Sequence, residues 1–79
     1  MFALAYILLY MENKFSIRLK ECLEEKGISQ DKFAKEIGVS KSTVSDWINK
    51  KKQPTTDNII LVANYFAVTS DFLLGIEEF

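Results

Sequence analysis

Lys41, Lys50, Lys51 and Lys52 fall within a twelve-residue stretch in which Asp46 is the only acid. Ammonium groups grouped in this way neutralise phosphates. The short polar residues among them (Ser40, Ser42, Ser45 and Asn49) can exchange hydrogen bonds with exposed base edges. Elsewhere the charge is spent differently. From Glu12 to Lys26 four acids meet four bases, and after Gln53 only acids follow, at Asp57, Asp71, Glu77 and Glu78. The net charge of −1 therefore conceals one concentrated basic segment. Where charge lies matters more than its sum when the partner is a polyanion. A lysine cluster taken alone is commonly just a solvated surface, so the elements that position it decide its meaning.

Other chemistry is poorly supplied. There is no histidine and one cysteine, Cys22, so neither an intramolecular disulfide nor a metal site is expected. No glycine-rich phosphate loop, no nucleophile beside a base and no spaced carboxylate pair is present. The expectation is a protein that is not an enzyme and uses no cofactor or small-molecule ligand. A lone thiol fits a reducing, cytoplasmic setting, and Cys22 reads as a small core residue. Seventy-nine residues allow one domain, whose small core needs tight helical packing or dimerisation.

Helical signals run through the chain after residue 14. Phe15, Leu19, Cys22 and Leu23 share one face of a first helix, which Gly27 closes. Ser29 caps a second helix that buries Phe33, Ala34 and Ile37 and ends at Gly38. Ser40 caps a third, from Lys41 to about Asn49, with Val44, Trp47 and Ile48 inward. A basic loop, Lys50 to Pro54, follows. Thr55 caps a fourth helix burying Ile59, Val62, Ala63 and Phe66, and Thr69 caps a short fifth that ends at Gly75. No strand pattern is visible. The predicted fold is all-α, a compact domain of five helices over residues 15–79.

The three-residue turn Gly38-Val39-Ser40 is too short to let its helices lie antiparallel, so they must cross steeply and the third must protrude. A protruding helix with a small polar outer face suits the major groove, about 12 Å wide. Its first turn, Lys41 and Ser42, would point at the bases.

Residues 29–54, SQDKFAKEIGVSKSTVSDWINKKKQP, resemble the helix-turn-helix of phage repressor and Cro-like (Xre-type) regulators. The likeness extends through Ile59–Ala63 and Phe66 to Val68-Thr69 and Asp71–Gly75, covering about residues 17–75. It implies a sequence-specific, DNA-binding transcriptional regulator, a homodimer on a palindromic operator in double-stranded DNA. Gln30 would hold a phosphate. Ser40, Lys41, Ser42 and Asp46 sit at base-reading positions, with Ser45 on the same outer face, and Asn49 and Lys51 match residues that grip the backbone. For Asp46 a merely solvated acid is the competing reading.

Three positions depart from the family pattern. An ion pair that the family usually buries is replaced by Leu23 and Ile48, an exchange that strands no charge. Lys50 stands where the family prefers glycine, so either it accepts a left-handed conformation or the helix runs on. Leu61 replaces a solvent-facing lysine and, with Tyr65 one turn later, suggests apolar surface outside the core.

Residues 1–14 form an extension, of which Met1 to Met11 carry no charge. As a helix they would span about 16 Å, too short for a bilayer. With Leu61, Tyr65 and Phe79 nearby, the expectation is a helix buried against a second subunit. No membrane partner is expected. The main rival to DNA binding is a protein-interaction or antitoxin role for the same fold.

Overall fold

The computed structural model describes residues 13–76, where every regular element is an α-helix. In chain order these are α1 (Phe15–Lys26), α2 (Gln30–Ile37), α3 (Lys41–Ile48), α4 (Thr56–Phe66) and α5 (Ser70–Leu74). Among the described residues, no helix is long and apolar enough to cross a membrane. The apolar segment 1–11 and Phe79 lie outside the described residues.

The helix boundaries follow from side chains that satisfy otherwise orphaned backbone groups. The hydroxyls of Ser29, Ser40, Thr55 and Thr69 accept from the amides of Lys32, Thr43, Asn58 and Phe72, opening α2 to α5 as the sequence predicts. At α1 the N-cap is Lys14, which makes no side-chain cap bond; one residue earlier, the Asn13 carboxamide oxygen accepts from the Phe15 amide at 3.0 Å. Lys14 also belongs to the folded body: its amide donates to the Leu74 carbonyl at 3.2 Å.

Three linkers are built alike. Gly27-Ile28-Ser29, Gly38-Val39-Ser40 and Ala67-Val68-Thr69 each give a left-handed residue, a half-buried apolar residue and the next N-cap. In each, the middle amide reaches back to a carbonyl in the last turn: Ile28 to Leu23 at 3.2 Å, Val39 to Ala34 at 3.0 Å, Val68 to Ala63 at 3.0 Å. That bond closes the helix while the apolar side chain returns to the core. Ala67 does this at φ 57°, without glycine's freedom.

Every helix contributes to the core. Phe15, Leu19 and Leu23 come from α1, Phe33, Ala34 and Ile37 from α2, Val44 and Trp47 from α3, Val62 and Ala63 from α4, and Leu73 from α5. Helix α3 packs against both α1 and α2, so its orientation is set from two sides. Leu23 is buried and Ile48 half-buried against the same cluster, which leaves no polar group stranded at the departure from the family pattern.

Some expectations need correction. Ile48, Ile59 and Phe66 are half-buried at the core's edge. Cys22 is also only half-buried, because its neighbours on that side are Glu25, Lys26, Phe66 and Val68 around a shallow recess. Burial, then Glu25 and Glu21, push its thiol pKa up, which suits a packing residue rather than a reactive one. Tyr65 is not spare surface. Its ring meets Phe33 at 5.2 Å and Phe66 at 4.9 Å, Lys26 lies 4.4 Å over its face, and its hydroxyl donates to Glu36. Leu61 does remain exposed.

Candidate nucleic-acid interface

Two helix terminations expose the polar face of α3. At its start, Gly38 takes φ 78° and Ser40 returns to extended backbone, so α2 stops and α3 leaves in a new direction within three residues. Phe33, Ala34 and Ile37 on one side and Val44 and Trp47 on the other bury the inner faces of the pair. What remains outward on α3 is Lys41 and Ser42 in the first turn, then Ser45 and Asp46, then Asn49.

The outer face is already organised. The Ser40 hydroxyl lies 3.1 Å from that of Ser42 and 2.8 Å from that of Thr43, besides accepting from the Thr43 amide. Asn49 donates its carboxamide to Ser45 at 3.2 Å, one turn back. These hydroxyls and amides can turn to an outside partner at little cost, since each exchanges one hydrogen bond for another.

At the far end, the departure at Lys50 has a plain outcome: the lysine accepts the left-handed conformation, at φ 62°. α3 ends at Ile48 with Asn49 as its cap, a residue earlier than the sequence suggests. The Lys50 amide donates to Trp47 at 3.3 Å. Those of Lys51 and Lys52 donate to the Asp46 carbonyl, at 2.8 Å and 3.3 Å. The basic run thus leaves the helix at a sharp, hydrogen-bonded corner and stays beside its polar face.

Among the described residues, two ion pairs occur: Lys35 with Asp31 at 3.8 Å, and Lys52 with Asp46 at 3.9 Å. Lys41, Lys50 and Lys51 are exposed, and none of them is in an ion pair with another described residue.

Seven of the expected residues (Ser40, Lys41, Ser42, Ser45, Asp46, Asn49 and Lys51) gather on α3 or within three residues of its ends. Gln30 is exposed at the first position of α2, where the positive end of the helix favours an anion. The sequence reading missed Asn13, Thr43 and Gln53. Asn13 accepts from the Phe15 amide and also donates to the Gln53 carboxamide at 3.1 Å, tying the end of the basic loop to the start of the first helix. An asparagine two residues before an apolar helical face was the available signal.

This arrangement defines a class. Residues 19–73 match the family described as Helix-turn-helix, and the chain belongs to it. Among its relatives, it is 30% identical over 61 residues to the HTH-type transcriptional regulator ImmR of Bacillus subtilis (strain 168), over 77% of this chain and 48% of that protein. It is 29% identical over 65 residues to the HTH-type transcriptional activator BcrR of Enterococcus faecalis, over 82% of this chain and 32% of that one. The chain therefore spans about half the length of these relatives, or less. In structure it resembles the P22 c2 repressor protein, solved in complex with synthetic operator 9T, with a TM-score of 0.74. That match covers 80% of this chain and 96% of the repressor chain at 22% identity, and it shows the fold. The repressor-like resemblance carried by residues 29–54 is borne out.

Proposed function

We propose that this chain is a sequence-specific duplex-DNA-binding transcriptional regulator that lays α3 in the major groove. The observation that carries this is the set of exposed lysines Lys41, Lys50 and Lys51, without an ion pair among the described residues, at the two ends of a helix whose outer face is small and polar. Lys41, Ser42 and Asp46 read base edges, Ser40 combines capping with a polar contact, and Ser45 lies beside them. Gln30, Asn49 and Lys51 hold phosphates. ImmR and BcrR are named as transcriptional regulators, and the P22 neighbour was solved on an operator; these support the reading. The acting unit is residues 15–79 together with Asn13 and Lys14, which bond to it, and the earlier residues are its extension; it works in the cytoplasm as a homodimer on a palindromic operator.

Salt-titrated binding to a mixed-sequence duplex tests this. Three phosphates neutralised per subunit give a log–log salt slope of roughly −5 for a dimer. The half-site centres should lie about 34 Å apart, one turn of DNA. A slope near zero instead favours a protein-interaction or antitoxin role, for which the exposed Ile17, Ile60, Leu61 and Ile76 supply apolar surface.

A further inference from the structure

Asp46 is the only acid in the segment from Lys41 to Lys52, and it holds the last lysine of that segment twice over. Its carboxylate lies 3.9 Å from the Lys52 ammonium, and its carbonyl accepts from the Lys52 amide at 3.3 Å. The Asp46 side chain is 28% exposed and that of Lys52 72%, so the carboxylate is the more sheltered member of the pair. Asp46 also lies in the last turn of α3, where the negative end of the helix attracts a cation and adds to the hold on Lys52.

We infer that Asp46 is a specificity-determining residue that withholds Lys52 from the phosphates, suppressing sequence-independent binding; this rests on the DNA-binding reading above. Exposed ion pairs are weak, but the inference does not depend on the strength of this one. If Lys52 stays with Asp46, the pair presents no net charge to the duplex. If Lys52 swings to a phosphate, it leaves a bare carboxylate facing the same polyanion, and gain and loss cancel. Either way the four lysines of the segment act as three. Backbone attraction, which is the same for every sequence, is lowered, and the base contacts of α3 become a larger share of the total. Only a donor that takes over the carboxylate, such as the exocyclic amino group of a cytosine, lets Lys52 count.

The test is a set of salt titrations of the full-length chain on one mixed-sequence duplex. Asp46→Asn keeps the backbone corner and removes the charge. Its slope should steepen from roughly −5 to about −7, as one more phosphate per subunit is neutralised. Lys52→Ala in the wild-type background should leave the slope near −5. In the Asp46→Asn background the same change should return −7 to about −5. All three variants should keep the wild-type thermal midpoint, because both side chains lie outside the core. An Asp46→Asn slope equal to wild type, or a loss of about 2 from the slope on Lys52→Ala alone, overturns the inference and leaves the DNA reading standing. A wild-type slope near zero overturns both.

Discussion

The rings of Phe15 and Trp47 meet edge to face, centroids 5.7 Å apart and planes at 84°. That contact joins the first residue of α1 to the inner face of α3, so the helix that presents the lysines is oriented by an aromatic pair at the centre of the core. Trp47 is 3% exposed and Phe15 1%.

Trp47→Ala should therefore unfold the domain rather than only abolish binding. Truncating a buried aromatic costs about 3–5 kcal/mol, comparable with the whole stability of a domain this small. Circular dichroism during thermal melting checks it. A variant that keeps both its helical signal and its midpoint would place the α3 anchor elsewhere.

Residues on α3 and residues after it should fail differently. Lys41→Ala and Ser42→Ala should relax preference at particular base pairs, by about 1–3 kcal/mol for a good contact. Lys51→Ala should weaken all sequences alike and flatten the salt slope. Binding to a panel of operator variants separates the two patterns. If Lys41→Ala leaves the preference profile unaltered, α3 does not sit in the groove as proposed.

How legible this was from the sequence depends on which physical signal each feature carries. Ser29, Ser40, Thr55 and Thr69 announce helix starts because a hydroxyl there has one dominant use, and Gly27, Gly38 and Gly75 announce ends for a similar reason. Ala67 gives no such warning: its left-handed backbone is imposed by Val68 returning to the core, a tertiary demand. The polar outer face of α3 was readable from its spacing. The Asp46–Lys52 pair and the Asn13–Gln53 bridge were not. The first needs the corner at Lys50 and the second a contact across forty residues, and no local pattern encodes either. Tyr65 was misjudged because helical periodicity places it beside Leu61, whereas Phe33 and Glu36 claim it from another helix.

Tyr65 should make stability depend on pH at the alkaline end. Its hydroxyl donates to the Glu36 carboxylate, and this hydrogen bond, then burial, then the carboxylate's charge, raise the phenol's pKa above its ordinary value of 10.0. A raised folded-state value means the contribution is whole below about pH 10 and is lost as pH rises through the folded value. Tyr65→Phe should thus be less stable than wild type at neutral pH, with the gap narrowing above pH 10. Paired denaturant titrations at pH 7 and at pH values above 10 decide it. A gap that stays constant with pH would mean the phenol proton contributes nothing to folding.

Lys50 offers a substitution that should move stability and binding in opposite directions. It holds φ 62°, a conformation that costs a non-glycine residue roughly 1–2 kcal/mol. Glycine removes that strain but gives back about 0.5–1 kcal/mol through its freedom in the unfolded chain. Lys50→Gly should therefore stabilise by up to about 1.5 kcal/mol, which raises the midpoint by several degrees in a domain of this size. The corner itself should persist, since the Lys51 and Lys52 amides still find the Asp46 carbonyl. Binding should weaken, because the Lys50 charge is gone and the dimer's salt slope falls by about 2. Ala67→Gly is the control: it relieves the same kind of backbone strain, at φ 57°, on the linker between α4 and α5. It should stabilise similarly and leave the slope alone. Equal loss of binding in both variants would mean that stiffness of the linkers, rather than the charge of Lys50, governs affinity.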